Sequence, residues 1–131
     1  MKRVIILGVL GACMTVLLSG AFGQARENVR FAPGTHGTKL PGTVRGFAYR
    51  DYIVRASGGQ TMKVNLDASK AATVFTIFLP NGDNLAGASE TDDFTGKLPA
   101  NGEYKIRVAM MRSAARRRGS VSNFTLRINI K

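Results

Sequence analysis

Tryptophan is absent from this 131-residue chain, cysteine and histidine occur once each, and acid is scarce: 8 Asp and Glu stand against 19 Lys and Arg, a formal net charge of +11. Each shortage excludes something. The one cysteine is Cys13, so no intrachain disulfide can form and a thiolate zinc cluster is out of reach. With His36 as the sole histidine, a metal site would have to rest on carboxylates. A catalytic triad would need His36 beside an oriented nucleophile, and its setting, Gly34-Thr35-His36-Gly37-Thr38, is a loop by composition with no such motif. The acidic cluster of Glu90, Asp92 and Asp93 lacks the glycine and the spacing of a calcium loop. No glycine-rich segment opens a helix, which removes the common phosphate cradles. The length rules out a nucleotide-binding domain joined to a substrate domain. These absences together predict a non-enzyme, with no cofactor and no metal.

What is present begins with an export segment. Lys2-Arg3 form a basic start, Val4 to Leu18 are nearly all apolar or small, and Ala21-Phe22-Gly23 places small residues where a signal peptidase needs them. Residues 1–23 are expected to be a cleaved secretory signal peptide, with a second possible cut after Ala25. The apolar run is shorter than the roughly 20 residues of a membrane span, so no stable membrane insertion is expected after cleavage. Leu10-Gly11-Ala12-Cys13 resembles a lipidation box, but a cut there would leave Met14 to Leu18 exposed on the mature end. Loss of Cys13, Lys2 and Arg3 leaves 17 of the 19 basic residues against 8 acidic ones, a net charge of +9. Residues 24–131 are then a single domain without disulfides, which only its core can hold together.

The mature chain carries the period of strands rather than helices. Met62, Val64 and Leu66 alternate with polar residues, as do Tyr104, Ile106, Val108 and Met110, and Phe124, Leu126, Ile128 and Ile130. Tyr49 to Ala56 and the β-branched, aromatic run Thr73 to Leu79 read as two further strands. Asn28 to Phe31, Leu40 to Gly46 (an edge piece, given Pro41) and Asp93 to Leu98 complete the set. Turn signals such as Ser57-Gly58-Gly59-Gln60, Pro80-Asn81-Gly82-Asp83 and Asn101-Gly102 separate them. The expected fold is all-β: a single antiparallel β-sandwich of about eight short strands, the apolar members of each alternation forming its core.

Arginine is the one conspicuous excess. Arg107, Arg112, Arg116, Arg117 and Arg118 fall within 12 residues, and the strand period is broken from Met111 to Asn123. A connection of that length is a candidate functional loop. Arginines spaced by Ser113, Ala114 and Ala115 suit planar, bidentate pairing with carboxylates or phosphates, where a merely solubilising surface would do as well with lysine. No aromatic row interleaves with them, and export argues against nucleic acid as the partner. Phosphates of the envelope and an acidic protein cleft both remain open on composition.

A resemblance narrows the choice. The stretches Val29-Arg30-Phe31-Ala32-Pro33-Gly34, Gly42-Thr43-Val44-Arg45-Gly46-Phe47-Ala48-Tyr49-Arg50-Asp51-Tyr52, Leu98 to Val108 and Met111-Arg112-Ser113-Ala114-Ala115-Arg116-Arg117 resemble the periplasmic inhibitors of g-type (goose-type) lysozyme over nearly the whole mature chain. The most specific parts are the aromatic pair after Gly46 and Arg112-x-x-x-Arg116. Leu98 to Val108 is less specific, because pre-peptidase C-terminal β-sandwich domains carry a similar Leu-Pro-x-x-Gly-x-Tyr pattern. The resemblance implies a β-sandwich without enzymatic activity, located in the periplasm, whose partner is a g-type lysozyme. It implies an inhibitor interface centred on Arg112, Arg116 and Phe47, the aromatic after Gly46, with Arg117 at its rim; Tyr49, a scaffold residue in the alternative, and Arg107 of the basic segment complete the candidate interface. Phe47 stands where the pattern has tyrosine, so a hydrogen bond from that hydroxyl is missing. A pre-peptidase-like module, or a basic envelope protein holding anionic polymer or lipid, is the alternative, and monomer and homodimer stay open.

Overall fold

A computed structural model describes residues 25–131. The expected signal peptide, with Cys13 and the cut after Gly23, lies outside the described residues. The chain forms β1 (Ala25–Asn28), β2 (Gly37–Arg45), β3 (Tyr49–Ala56), β4 (Thr61–Ala68), β5 (Thr73–Phe78), β6 (Asp93–Lys97), β7 (Gly102–Met110), a one-turn helix α1 (Arg112–Ala115) and β8 (Val121–Ile130). Two four-stranded sheets result, ordered β1-β3-β7-β5 and β2-β8-β4-β6. This is the expected β-sandwich of eight strands.

The odd strands form one sheet and the even strands the other, so every connection crosses from sheet to sheet and no two consecutive strands are hydrogen-bonded neighbours. Of the turns read from the sequence, Pro80-Asn81-Gly82-Asp83 folds the chain straight back on itself, with Phe78 bridging Asn84 antiparallel, while the others carry the chain across to the opposite sheet. All pairings are antiparallel except β1 with β3, which run parallel with Ala25 opposite Arg50. β1 also lies three residues upstream of the expected strand Asn28 to Phe31. Val29 still donates its N–H to Ile53 at 2.9 Å, and Val29 and Phe31 pack on the core, so the alternation reported burial correctly while the ladder ends earlier. β2 begins at Gly37 rather than Leu40, and it is an edge strand, as Pro41 requires.

The core lies between the sheets. Tyr52 and Val54 of β3, Phe75 and Ile77 of β5, and Tyr104, Ile106 and Val108 of β7 meet Met62, Val64 and Leu66 of β4 and Phe124, Leu126, Ile128 and Ile130 of β8. All three strong alternations thus point inward, as expected. Gly42 admits close packing here: a Cβ at this position would sit 2.5 Å from Cζ of Phe124 and 2.9 Å from the Tyr52 hydroxyl.

The Leu-Pro-x-x-Gly-x-Tyr pattern has a structural explanation. Leu98 is buried, the Tyr104 hydroxyl donates to the Ala100 carbonyl at 2.7 Å, and the Asn101 side chain accepts from Gly58 N–H at 2.7 Å. It pins the sheet-crossing loop between β6 and β7.

Tyr52 gives the fold an alkaline limit. Burial pushes its phenol above the ordinary value of 10.0, an effect the Arg50 hydrogen bond and charge only partly offset. A group whose folded value is raised contributes its stability below the unfolded value, and loses it as pH climbs through the folded one. The melting temperature should therefore fall above about pH 10, and Tyr52→Phe should flatten that fall. Melting curves by circular dichroism from about pH 8 to about pH 11 test this, and an identical decline in both proteins would refute it.

Candidate functional site

Three connections meet at one end of the sandwich. The β2–β3 turn is closed by Ala48 N–H to Arg45 carbonyl at 3.0 Å, with Gly46 at φ +54, a left-handed backbone that favours glycine. Gly46 N–H reaches the Ser120 carbonyl at 2.9 Å, which ties this turn to the β7–β8 connection. Met111 N–H reaches the Ala72 carbonyl at 2.8 Å, which ties that connection to the one between β4 and β5. Together the three hold Lys70, Arg112, Arg116, Arg117 and Arg118, and no acidic residue.

The arginine segment is not an open loop. Met111, extended at φ −61 and ψ 150, leads into α1 without a side-chain cap. A single turn cannot stand alone in water. It is held by Ala115, 3% exposed in the core, and by Ala114 and Ala115 N–H groups donating to the Met111 carbonyl at 3.0 and 2.9 Å. Ala115, with Ala114 partly buried beside it, is thus the anchor, and the arginines and Ser113 are what the turn displays. Arg112 and Arg116 lie four apart, on one stripe of the turn, with Arg116 N–H on the Arg112 carbonyl at 3.1 Å. Arg112, Arg116, Arg117 and Arg118 are all exposed, and none makes an ion pair among the described residues.

Phe47 sits at the tip of the tied turn. It is 66% exposed, and Met111, at 41%, is the other large exposed apolar side chain among the described residues. Both belong to the arginine end. Arginine, aromatic and methionine side chains together are the composition of protein interfaces, where Lys and Glu are depleted. Sequence reasoning missed Met111. Its signal was local: after the buried Met110, the period breaks on a second methionine that no strand can turn inward.

Arg107 and Tyr49 stand differently. Arg107 donates from Nε to Asp51 Oδ1 at 2.8 Å and from Nη2 to Oδ2 at 3.1 Å, while its guanidinium lies 3.9 Å from the Tyr49 ring centroid and 5.4 Å from that of Phe78. The Asp51 hydrogen bond holds the guanidinium above its ordinary value, against the opposing effect of burial. This stack braces the outer face of the first sheet behind the β2–β3 turn. Asp51→Asn should lower stability by about 1–2 kcal/mol, since Asp51 is only 8% exposed and Arg107 keeps access to water. Urea unfolding of the two proteins measures it.

The residues weighed for other chemistry lie apart. His36 is exposed, with its carbonyl accepting from Ile130 N–H at 2.9 Å. Glu90, at φ +49, and its acidic neighbours Asp92 and Asp93 are exposed in and beside the loop before β6. Among the described residues no three His, Cys, Asp or Glu side chains gather as a metal site would need, and no helix is long and apolar enough to cross a membrane.

The chain as a whole has counterparts. The chain is 32% identical to PliG of Aeromonas hydrophila, a periplasmic inhibitor of g-type lysozyme, over 82% of its own length and 96% of that structure, with a TM-score of 0.71. The chain belongs to that family of periplasmic g-type lysozyme inhibitors. An Escherichia coli K12 inhibitor of g-type lysozyme is 29% identical over 122 residues, 90% of this chain and 91% of the relative. No protein-family model matches the sequence. The pre-peptidase C-terminal domain of a Bacillus anthracis collagenase, at 10% identity and a TM-score of 0.54 over 83% of this chain and 97% of that one, shares the fold alone. The family members are inhibitors rather than enzymes.

Proposed function

We propose that this chain acts in the periplasm as an inhibitor of g-type lysozyme and blocks its active-site cleft with the arginine end of the sandwich. The observation that carries this reading is the meeting, at one end, of four exposed arginines without carboxylate partners and the two exposed large apolar side chains Phe47 and Met111.

Glycosidases work with carboxyl groups set in a cleft. Arg112 and Arg116, side by side on one turn, offer two planar forks to such groups. Phe47 fills apolar space beside them and excludes water, Tyr49 backs the same turn, and Arg107 and Arg117 border the contact. Because α1 and the β2–β3 turn are tied to the sandwich by backbone hydrogen bonds, little ordering entropy is lost on docking. No bond is made or broken and no cofactor takes part.

The test is a cell-wall lysis assay in which purified mature protein is titrated against a g-type lysozyme. Inhibition should reach completion at a fixed stoichiometry and persist at raised salt. A polycation acting on the anionic substrate would instead lose effect steadily with ionic strength. Phe47→Tyr restores the hydroxyl of the family pattern and should tighten inhibition by roughly 2- to 10-fold, the range of one added interfacial hydrogen bond. The inhibition constants of the two proteins decide it.

A further inference from the structure

The arginine end has two faces, and the lysozyme reading centres on one, with Arg117 at the border between them. Residues on a helical turn advance by about 100° each, so Ser113 and Arg117 form a stripe beside that of Arg112 and Arg116. On that second side, Lys70, Arg117 and Arg118 converge with Ser113 and Ser120 on an open pocket of about 380 Å³, which neither Arg112, Arg116 nor Phe47 lines. We propose that this pocket is a separate binding site for a phosphate monoester or free phosphate dianion.

The charge count favours phosphate over carboxylate. Three cationic residues line the cavity, and none of them makes an ion pair among the described residues. One carboxylate would leave most of that charge unmatched, whereas a phosphate dianion presents three acceptor oxygens to two guanidinium forks and an ammonium. The two serine hydroxyls supply neutral donors at the wall. Ser120 now spends its hydroxyl on the Met110 sulfur at 3.2 Å, a weak acceptor that an anion would outcompete. No aromatic side chain lines the pocket, so a nucleobase would find nothing to stack on.

The walls are fixed rather than gathered by chance from mobile loops. Thr73 N–H closes a turn onto the Lys70 carbonyl at 3.0 Å, and Ser120 N–H closes another onto Arg117 at 3.2 Å. Gly119, at φ +71, makes the second turn possible. The neighbouring floor is locked by the buried Thr73 hydroxyl donating to Ser122 Oγ at 2.6 Å.

The experiment follows backbone amide shifts of the mature protein while inorganic phosphate is titrated at about pH 8, where the dianion dominates. Shifts should concentrate at Ser113 and at residues 118–120, saturate, and exceed those with sodium acetate at equal ionic strength. Lys70→Ala and Arg118→Ala should each weaken phosphate binding at least about 5-fold, and Lys70→Ala should leave lysozyme inhibition unchanged, since Lys70 is outside the proposed cleft contact. Vesicles containing phosphatidic acid, against pure phosphatidylcholine, identify the source. Capture that free phosphate competes away assigns the site to a lipid phosphate, and phosphate binding without capture assigns it to a soluble one. Shifts spread evenly over all the arginines, acetate binding as well as phosphate, or indifference to Lys70→Ala would overturn the proposal. Because inhibition is read on the same variants, this site and the lysozyme reading can fail independently.

Discussion

Ile106→Asp should leave the chain unfolded in dilute buffer, while Val108→Asp, one step along the same face of the same strand, should cost measurably less. Both valine and isoleucine are fully buried on β7, which lies between β3 and β5. Opposite Ile106 stand Tyr52 and Ile77, both wholly buried, so a carboxylate there meets no cation. Burying that charge costs about 3–5 kcal/mol, and losing the isoleucine contributes about 2 more. A domain of this size is stable by only about 5–15 kcal/mol, which such a loss largely removes. Opposite Val108, by contrast, stands Arg50, half-buried and inward-facing, now 3.5 Å from Glu27 and donating to the Tyr52 hydroxyl at 3.2 Å. An aspartate at 108 can take that guanidinium as partner. Urea titrations followed by circular dichroism give both values. A folded Ile106→Asp protein with near-normal stability would contradict the position assigned to β7 in the core.

The difference between those two positions marks where the sequence stops being readable. Alternation places both residues inward, because period two is a local property of one strand. Which residue stands across from each depends on which strand pairs with which, and here every neighbour in a sheet is remote in sequence. Arg50 beside Val108 is therefore invisible until the register is known. The same reason explains β1: Ala25 to Asn28 carry no apolar alternation, and only pairing with β3 makes them a strand. The one-turn helix escaped because four residues are too few to show a period.

At the site, residue type was legible and placement was not. Arg112, Arg116 and Phe47 could be picked out by arginine excess and family pattern, but nothing local says that Gly46 reaches Ser120 and thereby sets Phe47 beside α1. Arg107 looked like its neighbours in sequence, yet β-pairing puts it opposite Asp51, and the carboxylate engages it. Lys70 gave no signal at all, because it joins the arginines through long-range links such as Met111 to Ala72 and Ser69 to Asn123. Topology that sends every connection across the sandwich gathers distant loops at each end. Such gathering lets short loops present a composite surface on a rigid base.

Arg112→Ala and Arg116→Ala should each weaken inhibition of a g-type lysozyme by about 2–4 kcal/mol, roughly 30- to 1000-fold in the inhibition constant. The size follows from the proposed contact: a lysozyme carboxylate stripped of water by the docked sandwich would lose its partner. Neither change should move the melting temperature appreciably, because both side chains are exposed and the turn is anchored by Ala115 and the Met111 carbonyl. Arg112→Lys should also lose potency, since an ammonium cannot reproduce a two-pronged fork. Arg117→Ala should do less and act chiefly on the association rate, as rim charges do. Ala115→Asp offers a check of a different kind. It puts a charge where the turn meets the core, so it should displace Arg112 and Arg116 together and abolish inhibition with all the arginines still present. A diffuse basic patch predicts the opposite on each count: interchangeable arginines, silent lysine replacements, and no sensitivity to Ala115. Inhibition constants for these single variants, each paired with its melting curve, separate the two accounts, and equal small losses throughout would remove the cleft mechanism.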